Sequence, residues 1–180
     1  MQRRDYPMTT DVVTGDPLGD KPVELIHDNR LFRFSSEESA DTFKKDPAKY
    51  IPTVNAAIVK NQLPRYPMAT CPIGRGPLDG MGGPVNMIIG NRLVQLCCDS
   101  CRNGVLEDPL KVIKQLDEAA ATAQRADYPI DTCVVTGQKL GSMGDTVELT
   151  AGGRLVRFCC VGCFYSFDAD PAKYLAKLGG

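Results

Sequence analysis

The chain has no tryptophan, a single histidine (His27) and no cysteine before Cys71. A Ser-His-Asp triad would have to be built on His27, and no nucleophile-elbow pattern lies near it. His27 reads instead as a surface residue at the end of a strand. The glycine-rich stretch Gly80-Met81-Gly82-Gly83 has no lysine, the residue that phosphate loops use. Basic residues form no stripe: 21 Lys and Arg are mixed with 22 Asp and Glu, for a formal net charge of −1. That distribution argues against nucleic acid as a partner. No apolar run is long enough to span a membrane. Met1-Gln2-Arg3-Arg4 is basic, but no apolar segment follows, so no intact signal peptide is expected. A chain whose leader had already been removed would look the same. A periplasmic or secreted location and a cytoplasmic one therefore both stay open.

What is present is a repeat, and it sets the architecture. Arg154-Leu155-Val156-Arg157-Phe158-Cys159-Cys160-Val161-Gly162-Cys163 leads to Asp170-Pro171. Upstream, Arg92-Leu93-Val94-Gln95-Leu96-Cys97-Cys98-Asp99-Ser100-Cys101 leads to Asp108-Pro109, and Arg30-Leu31-Phe32-Arg33-Phe34-Ser35-Ser36-Glu37-Glu38-Ser39 leads to Asp46-Pro47. Ser35, Cys97 and Cys159 follow one another at 62 residues, as do Asp46, Asp108 and Asp170. Each copy opens with Tyr-Pro (Tyr6, Tyr66, Tyr128), and these tyrosines read as packing anchors between modules. A glycine- and proline-rich loop follows. The expected fold class is α+β, three tandem modules spanning 1–62, 63–124 and 125–180. Each would hold a loop, a β-hairpin and short helices. Modules of about 60 residues have marginal cores and need metal, disulfides or mutual packing.

Val23–His27 and Leu31–Phe34 flank Asp28-Asn29, and Gly90-Asn91 and Gly152-Gly153 take the same place later. Such dipeptides tolerate the positive φ of tight hairpin turns. Ser35 with Glu38 reads as a capping box. The Asp-Pro pairs read as helix starts, with the second copy's last helix running from Pro109 to about Arg125.

All eight cysteines fall into two groups of four: Cys71, Cys97, Cys98, Cys101, and Cys133, Cys159, Cys160, Cys163. A hairpin brings each loop cysteine back to its junction cysteines. Neighbouring strand residues face opposite ways. Cys159 and Cys160 can thus share an ion only if the strand has ended before them. Three thiolates, with Cys98 or Cys160 as an optional fourth, is the expected ligand set. Thiolates near a helix start have lowered pKa values, and soft sulfur selects zinc, copper(I) or related ions. Met81 and Met143 each lie ten residues after their loop cysteine. They read either as extra thioether ligands, favouring copper(I), or as loop-packing residues. The first copy has no counterpart of these cysteines or methionines, with Asp11 at the loop position and serines at the junction. Its apolar pattern is nevertheless intact, so the scaffold is expected to stand without sulfur.

At these residues the chain resembles the YHS domain and the related TRASH domain, treble-clef-like metal-binding modules. Cys133, Phe158-Cys159, Cys163, Phe167 and Asp170-Pro171-Ala172-Lys173-Tyr174 match their shared pattern. The second copy matches with Leu96 and Val112 for two aromatics. The first matches only through Phe34, Phe43 and Asp46-Pro47-Ala48-Lys49-Tyr50. Cys98 and Cys160 are additions to the pattern. The resemblance implies heavy-metal sensing, storage or trafficking, with another protein as the partner in metal transfer. The leading reading is therefore a non-enzymatic protein with two zinc or copper(I) sites. A secreted interaction module stapled by disulfides and a thiol redox protein using Cys98/Cys101 or Cys160/Cys163 are the alternatives. The βαβ setting of thioredoxin-like redox motifs is absent.

Overall fold

The computed structural model describes residues 2–179. It is an α+β structure with three two-stranded antiparallel sheets. The strands are β1 (Val23–His27) with β2 (Arg30–Phe34), β3 (Val85–Ile89) with β4 (Arg92–Leu96), and β5 (Val147–Ala151) with β6 (Arg154–Phe158). Two helices follow each hairpin: α1 (Glu37–Lys45) and α2 (Pro47–Gln62), α3 (Arg102–Glu107) and α4 (Pro109–Gln124), α5 (Gly162–Ala169) and α6 (Pro171–Leu175). No helix among the described residues is long and apolar enough to cross a membrane.

The hairpins form where the turn dipeptides allow. Asp28 and Asn29 both take positive φ, 48° and 59°, as do Gly152 and Gly153 at 54° and 76°. In the middle hairpin only Gly90 does so (φ 59°). Asn91 is freed for another task, and its buried side chain reaches the first hairpin. There it accepts from Arg30 Nε at 2.9 Å and donates to the Leu31 carbonyl at 3.0 Å.

Each second strand is buried because both its faces are covered. On one side lies the short helix that follows it. Phe43 packs on Phe32 and Phe34, with ring centroids 4.6 and 5.2 Å apart, and Phe167 packs on Phe158 at 5.4 Å. Val105 does the same work in the middle core. On the other side lies the helix that precedes the hairpin: α2 packs on β4, α4 packs on β5 and β6, and a 3-10 turn at Gln2–Asp5 packs on β2. A glutamine fixes each of these contacts. Gln62 donates to the Asn91 carbonyl (2.7 Å) and accepts from Leu93 N–H (2.8 Å). Gln124 bridges Gly153 and Leu155 (2.8 and 2.9 Å), and Gln2 bridges Asn29 and Leu31 (2.6 Å each). The backbone groups just after each turn are thereby paired from the neighbouring helix.

The first helix is capped one residue later than the capping-box reading places it. Ser36, not Ser35, is extended and accepts from Ser39 N–H at 3.2 Å, because Ser35 is engaged elsewhere. Asp108 and Asp170 cap α4 and α6 through Lys111 and Lys173 N–H, whereas Asp46 makes no side-chain cap. The tyrosines mostly brace their own hairpins. Tyr66 and Tyr128 hydroxyls accept from Gln95 and Arg157 N–H at 2.9 and 3.0 Å, and only Tyr66 packs against two cores.

Candidate metal centre

The loop that opens each segment turns in the same way three times. Asp11, Cys71 and Cys133 donate N–H to the carbonyl five residues on, and accept from the N–H four residues on, all at 2.7–2.9 Å. The fourth residue after each takes positive φ: Gly15 (82°), Arg75 (59°) and Gly137 (75°). This turn aims the loop side chain at the end of the hairpin's second strand. β4 stops at Leu96 and β6 at Phe158. The double cysteines therefore lie past the strand, and the alternation of faces no longer separates them.

The sulfur atoms converge. Cys71, Cys97 and Cys101 Sγ lie within 4.8 Å of one another, and so do those of Cys133, Cys159 and Cys163. Both groups are close enough to hold a metal ion. Cys98 Sγ is 3.9 Å from Cys97 and 3.6 Å from Cys101, and Cys97 is 3.8 Å from Cys101. In the other group Cys159–Cys163 is 3.7 Å and Cys160–Cys163 is 3.6 Å. A tetrahedral site with metal–sulfur bonds of about 2.3 Å sets its sulfurs about 3.8 Å apart. The residues present therefore fit a thiophilic ion. All eight cysteines are free thiols.

Charge is distributed unevenly within each group. Burial pushes the Cys133 thiol up, but N–H groups of Thr136, Cys159 and Val135 and the Thr136 hydroxyl outweigh it and bring it to about 6. Cys71 is brought to about 7 in the same way, by N–H groups of Cys97, Gly74 and Ile73. Cys98 is lowered first by the hydrogen bond from Cys101, and Cys160 first by the N–H of Cys163. Burial and the neighbouring sulfurs push Cys101 up to about 12 and raise Cys163. Each group thus has sulfur ionised near neutrality beside thiols that still carry protons. A metal ion bound here would take the place of those protons.

Met81 and Met143 are 71% and 64% exposed, so neither is packed into its loop. His27 packs edge-on against Phe43, with ring centroids 5.7 Å apart, and Phe43 belongs to a core that contains no cysteine. Two clefts of about 410 and 330 Å³ lie at the α4–hairpin junctions and contain no cysteine.

In the first segment the equivalent positions form a hydrogen-bond knot. Asp11 accepts from Ser35 N–H (2.7 Å), Ser35 Oγ (2.9 Å) and Ser39 Oγ (2.6 Å), and from Val13 N–H (2.8 Å). Ser35 and Ser39 stand where Cys97 and Cys101 stand later. The carboxylate thereby joins loop to helix with no cysteine present. The sequence reading missed this knot and the residue three places after each loop position: Thr14, Gly74 and Thr136. Their equal spacing was a signal, but their part in the site is visible only in three dimensions.

Comparison with protein-family models finds none that matches the chain, and searches of curated proteins and of solved structures find no significant match.

Proposed function

We propose that the protein binds thiophilic metal ions at two thiolate centres and serves in metal sensing, storage or transfer. The second and third segments would be YHS/TRASH-like modules of treble-clef type, with the first a degenerate copy. Cys71, Cys97, Cys98 and Cys101 hold one ion, and Cys133, Cys159, Cys160 and Cys163 the other. Zinc and copper(I) both suit an all-sulfur donor set. Four thiolates carry a formal charge of −4, so binding is driven by charge neutralisation as well as by sulfur softness. Because Cys98 and Cys160 are the least buried of the eight, they are the ligands a partner protein's thiol would displace first. No catalytic role is assigned.

The observation that carries this reading is the sulfur spacing, repeated in two groups whose third counterpart is satisfied by hydrogen bonds instead. Anaerobically reduced protein titrated with zinc should bind two equivalents. Cys71→Ser and Cys133→Ser should each lower the uptake to about one, since each leaves one complete group. A reduced protein with eight titratable thiols and no zinc or copper(I) uptake would sink the proposal.

A further inference from the structure

The two thiol groups are not the same site twice. Their loops share every backbone hydrogen bond of the turn, yet the residue three places after the loop cysteine is Gly74 in one and Thr136 in the other. At Gly74 there is backbone only. A Cβ there would stand 3.2 Å from Cys97 Sγ, 3.3 Å from Cys101 Sγ and 3.8 Å from Cys71 Sγ. The three sulfurs are met there by backbone only, with the Gly74 N–H donating to Cys71 Sγ at 3.3 Å and no side-chain hydroxyl beside them. At Thr136 the side chain is present, and Oγ1 lies 3.4 Å from Cys159 Sγ. That oxygen also accepts from Gln138 N–H at 3.3 Å, and beside a Cys159 thiolate, which has no proton to give, the hydroxyl is the donor of the pair. In the first segment Thr14 Oγ1 makes the same contact to its loop, accepting from Asp16 N–H at 3.2 Å. Gly74 is the departure among the three. At the junction Cys97 and Cys101 are 4% and 9% exposed against 0% and 5% for Cys159 and Cys163, whereas the loop cysteines Cys71 and Cys133 are alike at 1% and 2%.

We propose that this difference divides the labour between the centres. The Gly74 centre exchanges metal, the Thr136 centre retains it, and Thr136 is the residue that sets the difference. The inference rests on the metal-binding reading above. A hydroxyl donated to a ligating thiolate takes up part of the sulfur's charge and occupies a lone pair that an incoming proton or electrophile needs. Its bulk also stands beside the sulfurs. With neither present, the Gly74 centre opens to an incoming thiol or chelator.

The test uses the full chain loaded with two equivalents of zinc and challenged with excess chromogenic chelator. Release should follow two phases of equal amplitude. Cys71→Ser should abolish the fast phase and Cys133→Ser the slow one. Thr136→Val, which keeps the bulk and removes the hydroxyl, should speed the slow phase by about tenfold or more, and Thr136→Ser should keep it slow. A single phase in the wild type, the slow phase surviving in Cys133→Ser, or no acceleration in Thr136→Val would each overturn the proposal. If the chain takes up no zinc at the outset, the metal-binding reading itself fails, and the elemental analysis before the challenge distinguishes that result.

Discussion

At the scale of single residues, Asp11 answers what a thiol position does without sulfur. Its carboxylate is 1% exposed and accepts four hydrogen bonds. Burial raises its pKa, but the Ser39 hydroxyl, the Ser35 and Val13 N–H groups and the Ser35 hydroxyl together outweigh it and hold it below the ordinary carboxylate value. A carboxyl held low when folded contributes stability that is fully present above its unfolded pKa of about 3.9 and is lost as pH falls through the folded value. Asp11→Ala also strands four donors, two of them backbone. It should cost about 3 kcal/mol in urea unfolding at pH 7. The gap between wild type and variant should narrow below about pH 4. An unchanged midpoint at pH 7 would mean that the first segment does not depend on this knot. Cys71 and Cys133 occupy the same place with a thiolate near neutrality.

At the scale of elements, the helix that precedes a hairpin does as much for it as the helix that follows. Gln62 is the clearest case, being 3% exposed with both ends of its amide paired to the second hairpin. Gln62→Ala leaves Leu93 N–H and the Asn91 carbonyl without a partner, and should lower stability by about 2 kcal/mol. Hydrogen exchange should show the loss at Leu93 first; equal protection of Leu93 in the variant would refute the bridging role. Much of this architecture was legible in sequence. The strands, the turn dipeptides, the Asp-Pro helix starts and the grouping of cysteines follow from local rules: alternation, positive φ and capping chemistry. The glutamines were not read, although Gln2, Gln62 and Gln124 each stand four residues before a Tyr-Pro. Placing boundaries at the helix ends assigns Gln62 and Gln124 to one segment while their amides serve the next hairpin. That is a tertiary pairing, and no local rule reaches it. The cap slipped from Ser35 to Ser36 for the same reason, since Ser35 is taken by a loop 24 residues away.

At the scale of the whole molecule, the segments interlock through polar groups buried between them. Arg92 is paired to Asp117 at 2.6 Å and lies 3.6 Å from Asp5, and its guanidinium also reaches Thr150 at 3.3 Å. Asp5 is pushed up by burial and pulled back by Arg92 and by the Gly152 N–H it accepts at 2.7 Å. One cation thus touches residues of the first, second and third segments, and α6 returns to pack against the 3-10 turn at Gln2–Asp5. A frame held in this way is expected to fold without metal. The first segment, built on the same turn and hairpin, already does without cysteine. On that expectation the frame should accept a third group. Asp11→Cys, Ser35→Cys and Ser39→Cys together place sulfur at the three positions that match Cys71, Cys97 and Cys101. Ser36→Cys adds the fourth. The quadruple variant should fold, retain its far-ultraviolet dichroism when stripped by chelator, and bind three equivalents of zinc where the parent binds two, because four thiolates at tetrahedral spacing make a complete site. A variant that folds and still binds two would mean that loop geometry in the first segment differs from the others in a way that matters to the metal. The first segment's loop is two residues shorter than its counterparts between the turn and the hairpin, and that shortening would then be the place to look.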